Sequence, residues 1–489
     1  MTPTTAEPAI ADTAQEPGAD GLDRGPAAHG GPARGLAALV ARRLAALRAD
    51  PARMRAVADS WRALWTSRVV AWGAGLSAVG IFGFGPTRTV FNPPGLTGGF
   101  GPVGNLLAAP VARWDSSWFL AVAKYGYRPD LAPYTNPRAA YFPGYPLAVR
   151  AVGWLGPPLV LAGVMVSVAA FGLALYLVHR LTTLELARIG RLAPGTGRVA
   201  AARKLDPAAV ARLAVLVTAF SPMAFYFSTV YSESLFLVLT LGCFWSARTG
   251  RWAWAGVLGA LAGATRSTGL VMIAPVLLLY LYGPRDDRPP DRPERGLRPR
   301  YRLRGDVLWL ALMPAGVLAY CVWLSAAGGE FLGPFHAAQA WYHHLVAPFG
   351  GIWDGLVAGF DGARQLLSFQ REHVYFPLAG GDPFTVAWHN LMELGFLAAG
   401  LAMTVGVLRR LPLAYGVYVI AALALPLTYP VTPQPLMSIP RYLVVLFPIA
   451  MWLAMWLAER PRAQRPALAA SVALMVLFAA QFATWHWVA

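Results

Sequence analysis

Apolar residues come in long runs across most of the chain, separated by arginine-rich or aromatic stretches. A helix needs about 20 such residues to cross a hydrocarbon core, because each residue advances it by about 1.5 Å. The first run covers 63–84. Others follow near 158–178, 208–228, 234–247, 252–265, 268–283, 307–327, 386–408, 411–429, 441–458 and 466–487. Backbone groups in lipid must be paired within their own segment, so the runs are predicted to be helices. The expected fold is all-α: a polytopic integral membrane protein with about eleven transmembrane helices. The stretch 252–283 also admits one long tilted span, which would move every later loop to the other side.

Two long intervals interrupt the runs, 85–157 and 328–385, and on this map both lie outside. They alternate charges with Trp, Tyr and Phe, the composition of short helices at a membrane interface. Before the first run, residues 1–33 are rich in Ala, Pro, Gly, Thr and acidic residues and read as a disordered cytoplasmic tail. Residues 34–62 set Leu, Ala and Val among many Arg, which predicts an amphipathic helix on an anionic leaflet. The organisation expected is therefore a tail and basic segment over 1–62 and a membrane domain over 63–487.

A chain of 489 residues, 56% hydrophobic and 13% charged, is far more apolar than a soluble one of that length. Its net charge of +17 would suggest nucleic acid, but the basic residues fall between runs, on one side. Arg188, Arg191, Arg198, Arg203 and Lys204 form one cluster, Arg248 and Arg251 another, and 284–304 a third. Arg409, Arg410, Arg460, Arg462 and Arg465 complete the set. The positive-inside bias then places that side, and the N-terminus, in the cytoplasm, with no nucleic-acid partner. Cys243 and Cys321 lie within apolar runs without metal-ligand or redox spacing. His336, His343 and His344, in "HAAQAWYHH", also lack the spacing of a zinc pair, so no metal site is expected.

No P-loop, dinucleotide glycine fingerprint or G-x-S-x-G elbow occurs, which argues against most ATP-driven and hydrolase chemistry. What stands out is a set of ionisable residues at outer ends of apolar runs: Asp115, Lys124, Arg128, Glu233, Arg266 and Arg441. Charge at such depth is costly, so each is a candidate for function. Asp115, in "ARWDSSWFLAVAKYGY", reads as an N-cap and as a general base partly desolvated by Trp114 and Trp118, one residue serving both roles. Glu233, in "SPMAFYFSTVYSESLFLVL", reads either as a cap of the span starting near Leu235 or as a contact to a substrate hydroxyl. Arg266 in "GATRSTGL" and Arg441 in "PLMSIPRYLVVLFP" are either snorkelling interfacial arginines or a clamp for a phosphate. Asp354, Asp361, Arg364, Arg371, Glu372, His373 and Asp382 read as a solvated loop surface.

In this order and spacing, "WDSSWFLAVAKYGY", "YFPGYPL", "SPMAFYFSTVYSESLFLVL", "ATRSTGL" and "IPRYLVVLFP" resemble the PIG-V family of mannosyltransferases, in the GT-C superfamily. The resemblance implies transfer of a sugar, mannose above all, from a polyprenyl-phosphate donor to an acceptor hydroxyl at the outer face of the cell membrane, with inversion. It implies Asp115 as base, Glu233 orienting the acceptor or sugar, and Arg266 or Arg441 stabilising the lipid phosphate that leaves. Trp114, Trp118, Tyr141, Tyr145 and Tyr231 would shape the pocket, although "YFPGYP" also reads as a tight turn pinned by Pro143, Gly144 and Pro146. No cofactor is implied. The partners implied are the donor, membrane lipids and an acceptor that is a lipid, glycan or protein. The competing readings are a transporter or flippase of a lipid-linked sugar, because intramembrane charges also mark substrate paths, and a noncatalytic scaffold.

Overall fold

The computed structural model describes residues 50–86, 91–130, 137–191, 205–293, 298–369 and 382–488. The expected tail, Arg198, Arg203, Lys204, Arg371, Glu372 and His373 lie outside the described residues, as do 34–49 of the basic segment. The chain divides into Met1–Met54 and a compact body, Arg55–Ala489. Of the first unit, the described part is the helix start at Pro51, where the Asp50 carboxylate accepts from the N–H groups of Ala52 and Arg53.

Among the described residues all regular structure is helical, apart from two isolated β-bridges. Helix α1 is Pro51–Phe82, so 51–62 are the opening turns of the first apolar helix and not a separate element. Three short helices in the first long loop follow: α2 (Gly101–Ala108), α3 (Ser116–Tyr125) and α4 (Gly144–Gly153). Then come α5 (Leu159–Arg191), α6 (Pro207–Ala219), α7 (Glu233–Arg248), α8 (Trp252–Thr265) and α9 (Ile273–Tyr282). The second half holds α10 (Ala315–Ala326), α11 (Gly333–His336), α12 (Gly350–Ser368), α13 (Pro383–Arg410) and α14 (Leu413–Thr428). It closes with α15 (Ile439–Val444), α16 (Phe447–Ala458) and α17 (Pro461–Ala483).

Among the described residues three helical stretches are long and apolar enough to cross a membrane: Leu159–Ile189, Pro383–Arg410 and Pro461–Ala483. The bent pair Gly305–Leu312 and Ala315–Ala326, at 44°, brings this to up to four. Other runs are cut shorter than expected. The run 208–228 stops being α-helical at Ala219, where Ser221 and Pro222 follow and a 3-10 turn, Ala224–Ser228, takes over. The run 441–458 is split between α15 and α16.

Helix ends sort into two sets. At one, Glu185 of α5 holds Arg248 at the end of α7, accepts from Arg188 at 3.0 Å and from the Tyr415 hydroxyl of α14 at 2.9 Å. Arg248 also reaches the Pro284 carbonyl at 3.0 Å, and Arg410 pairs with Glu459 at 2.8 Å. The described basic clusters therefore gather at this end. Because α7 starts at Glu233 and ends at Arg248, while α8 runs back to Arg266 beside Glu233, the chain returns to the basic end through α9. The stretch 252–283 is accordingly two helices and not one tilted rod. Gly269 makes the reversal possible, since a Cβ there would collide with the backbone of Ala262 and Gly263.

Candidate active site

Four side chains from four separate segments meet at the end opposite the basic clusters. Asp115 ends a turn in which Trp114 has φ 52°, a left-handed conformation costly for a bulky residue. Packing holds it: the Trp114 ring lies 5.4, 5.6 and 5.2 Å from those of Phe91, Trp485 and Trp487. The Tyr231 hydroxyl accepts from the Asp115 N–H at 3.1 Å and donates to the Arg113 carbonyl at 3.2 Å, pinning the turn to the segment that leads into α7. Helix α3 then runs to Gly126, whose φ of 74° ends it.

Glu233 is the first residue of α7, where the helix dipole favours negative charge, and it is 1% exposed. Arg266 sits in extended backbone, φ −152°, between α8 and the turn Ser267–Met272. Arg441 is on α15, a single short helix entered through Ser438 at φ 71°.

The contacts form one chain of charges. Arg441 donates to Asp115 Oδ2 at 3.0 Å, its Nε lies 3.2 Å from Glu233 Oε1, and Arg266 donates to that same oxygen at 2.7 Å. Two cations and two anions cancel, which is what lets them share a site shielded from water. The Nε contact is an ion pair without hydrogen-bond alignment, and Glu233 Oε2 is buried with no hydrogen bond to a described residue. Arg441 also lies over the rings of Tyr226 and Tyr231, at 5.7 and 5.4 Å, and Arg266 over Tyr442 at 5.1 Å.

Neither carboxylate is the cap that its position suggests. Asp115 stands at the N-cap of α3 but its side chain makes no cap bond, and Glu233 belongs to the helix itself. In each case an arginine offers a charged partner, which outweighs a backbone N–H. Lys124 lies over Tyr125 at 5.2 Å and Arg128 pairs with Asp130 at 2.9 Å, so neither is drawn into the network.

All four charged residues line one cavity of about 960 Å³. Of the five aromatics expected in the pocket, Tyr141 lines it. Trp118 stands behind, stacked on Tyr141 at 6.3 Å, and Tyr231 serves as the hydroxyl that holds Asp115. Trp114 is 1% exposed among other indoles, and Tyr145 donates to the Gly163 carbonyl at 3.0 Å in the core; both support the walls from outside. "YFPGYP" is not a bare turn, because Gly144 opens α4. A Cβ on Gly144 would lie 2.5 Å from Thr265 Oγ1, so its lack of a side chain lets α4 press against the end of α8 beside Arg266.

Part of the lining comes from residues that sequence alone did not single out as pocket residues. Gln339, Trp341 and His343 from the second long loop, Tyr429 and Trp487 all face the cavity. The aromatic density of that loop was the available signal, but aromatic composition does not say which rings turn inward. The acidic residues read as loop surface divide: Asp361 lies 3.9 Å from Arg364, whereas Asp382 accepts from the N–H groups of Phe384 and Thr385 and starts α13.

Fold and site together describe a helical membrane protein with a charge-balanced cavity at one end. Residues 87–282 match the family model described as Mannosyltransferase (PIG-V), and the resemblance to that family is shown over this segment. The chain is 32% identical over 170 residues to GPI alpha-1,6-mannosyltransferase 2 of Cricetulus griseus, covering 34% of this chain and 31% of that protein. It is 31% identical over 188 residues to the protein of the same description from Rattus norvegicus, covering 37% and 35%. With GPI mannosyltransferase pigv-1 of Caenorhabditis elegans it shares 29% identity over 147 residues, 26% of this chain and 18% of that protein. The matches thus span about a third or less of the relatives' length. No solved structure matches the chain. The proteins matched over this segment are described as mannosyltransferases. Asp115, Glu233 and Arg266 lie within the matched segment; Arg441 lies beyond it.

Proposed function

We propose that the protein is a membrane mannosyltransferase that moves a mannosyl group from a polyprenyl-phosphate donor to an acceptor hydroxyl, inverting the anomeric carbon. The observation that carries this reading is the convergence of Asp115, Glu233, Arg266 and Arg441 on one cavity. The lining also includes Leu270, Leu345 and Leu425, which are 40%, 77% and 38% exposed, so an apolar chain has a way out of the cavity into lipid. A ligand with a phosphate head and an isoprenoid tail fits that combination.

The resting pairs suggest how the reaction is ordered. Arg441 holds the Asp115 carboxylate through Oδ2 at 3.0 Å. A phosphate entering between Arg266 and Arg441 competes for both guanidinium groups and releases Asp115 towards the acceptor. Asp115 then takes the hydroxyl proton as the acceptor oxygen bonds to the anomeric carbon, on the face opposite the departing oxygen. The bond from that carbon to the phosphate oxygen breaks, and its electron pair leaves on the lipid phosphate, where the two arginines balance the charge. Glu233 keeps both arginines in place through one oxygen and offers the other to a sugar or acceptor hydroxyl.

In the same reading the chain makes about eleven passes over 63–487, with the N-terminus and basic end cytoplasmic and the cavity facing outside at the cell membrane. The test is to give the purified protein labelled polyprenyl-phosphate mannose and measure release of polyprenyl phosphate. A folded wild-type protein that leaves the donor intact refutes the reading.

A further inference from the structure

The cavity has two unlike sides. Apart from histidines, its charged lining among the described residues consists of the four network residues. A second part of the lining is neutral, aromatic and hydrogen-bonding, and comes from 339–343 and 428–431, outside the segment that matches the family model.

That wall is stiff. After the 3-10 turn Ala337–Trp341, Tyr342 adopts φ 63° and redirects the chain. Residues 342–346 then pair with 428–432: Thr432 N–H donates to the Tyr342 carbonyl at 3.2 Å, His344 N–H to Pro430 at 3.1 Å and Val346 N–H to Thr428 at 3.0 Å. His343 adds a side-chain fastening. Its Nδ1 donates to the Tyr429 carbonyl at 2.7 Å, and its ring lies flat on that of Tyr429, with centroids 5.2 Å apart. Burial pushes the His343 pKa below its ordinary value, so the ring stays neutral at pH 7.

Trp341 stands at the start of this fastened strip and projects across to the first long loop. Its ring is edge-on to Trp118 at 6.4 Å and to Tyr141 at 5.8 Å. Trp341, Tyr141 and the proposed base Asp115 line the same cavity, and Trp118 is one turn along α3 from Asp115. An indole face packs against the C–H face of a sugar ring, while neutral groups around it take hydroxyls.

Resting on the transfer reading above, we infer that Trp341 is a positioning residue for the acceptor, seating an uncharged hydroxyl-bearing ring beside Tyr141 so that one hydroxyl faces Asp115. The donor phosphate occupies the arginine side and does not touch Trp341. An acceptor with a carboxylate or ammonium group on that ring meets no compensating charge on this wall and is disfavoured.

The test uses full-length protein in nanodiscs, labelled polyprenyl-phosphate mannose, and dodecyl glycosides of neutral hexoses, of glucosamine and of glucuronic acid as acceptors. Trp341→Ala is expected to raise the KM for the neutral glycoside about tenfold, the loss of one aromatic contact. The donor KM stays within about twofold, and Trp341→Phe recovers most of the acceptor affinity. The inference is overturned by an unchanged acceptor KM in Trp341→Ala, by a parallel rise in donor KM, or by equal use of charged and neutral glycosides. It is also overturned by a wild-type protein that hydrolyses donor but accepts no neutral glycoside. A wild-type protein that neither hydrolyses nor transfers removes the transfer reading itself, and this inference with it.

Discussion

Asp115 and Arg441 are 326 residues apart in the chain, and their side chains meet at 3.0 Å in the wall of the cavity. The pair ties the first long loop to the short helix near the C-terminus, and Glu233 makes it a three-way junction through its 3.2 Å contact with Arg441. Each partner is nearly buried, so each needs the others to be tolerable there.

That dependence predicts a specific non-additivity. Arg441→Met leaves two carboxylates close together without their shared cation and should destabilise the fold by about 3–5 kcal/mol. Adding Asp115→Asn removes one of the two charges. The double variant should therefore have a higher thermal midpoint than Arg441→Met alone. Additive losses would show that the three groups do not act as one network.

The candidate site was legible in the sequence to the extent that membrane depth is. Ionisable residues at the ends of apolar runs are few, and Asp115, Glu233, Arg266 and Arg441 stood out on that ground. Their partners did not, because a carboxylate at a helix start has two outlets, the local N–H groups or a distant cation, and local pattern shows only the first. Trp341 escaped for a related reason: its neighbours Trp118 and Tyr141 are some 200 residues away in sequence. The long apolar helices Pro383–Arg410 and Pro461–Ala483 follow from composition alone. The split of 441–458 into two helices and the arrest at Ala219 depend on how Pro, Ser and buried polar groups find tertiary partners. Arg68 is one such partner. Fully buried on α1, it donates to the Ala224 carbonyl at 2.7 Å and to Ser228 Oγ at 2.9 Å, fixing the irregular segment ahead of Glu233.

Gly144→Ala tests whether the approach of α4 to α8 matters to Arg266. A methyl group would overlap Thr265 Oγ1 and the Ala264 carbonyl. Overpacking of this kind costs about 1–3 kcal/mol, and it should lower both the thermal midpoint and the turnover of donor. A variant as stable and active as wild type would show that the two helices part without consequence.

Arg266→Lys keeps a positive charge but loses the planar fork. Donor KM should rise about tenfold, because a point charge does not serve Glu233 and a phosphate together as well as a guanidinium does. Acceptor KM should change little. The opposite pattern would move Arg266 from the donor side of the cavity to the acceptor side.

Glu185→Gln probes the far end. The carboxylate there serves Arg188, Arg248 and Tyr415, so its loss leaves the fully buried Arg248 with a weaker partner. The fold should lose about 3–5 kcal/mol of stability, as for other broken buried pairs, and unfold at a lower temperature. Turnover per folded molecule should be unchanged, since none of these residues lines the cavity. A specific loss of turnover at constant stability would show that the two ends are coupled.

The most direct measurement compares wild type with Asp115→Asn, each checked for folding, in release of polyprenyl phosphate from labelled polyprenyl-phosphate mannose in the presence of acceptor. With the base removed but its shape kept, release should fall by about 10²–10⁴-fold while the donor still binds. Release by Asp115→Asn at the wild-type rate would contradict the account.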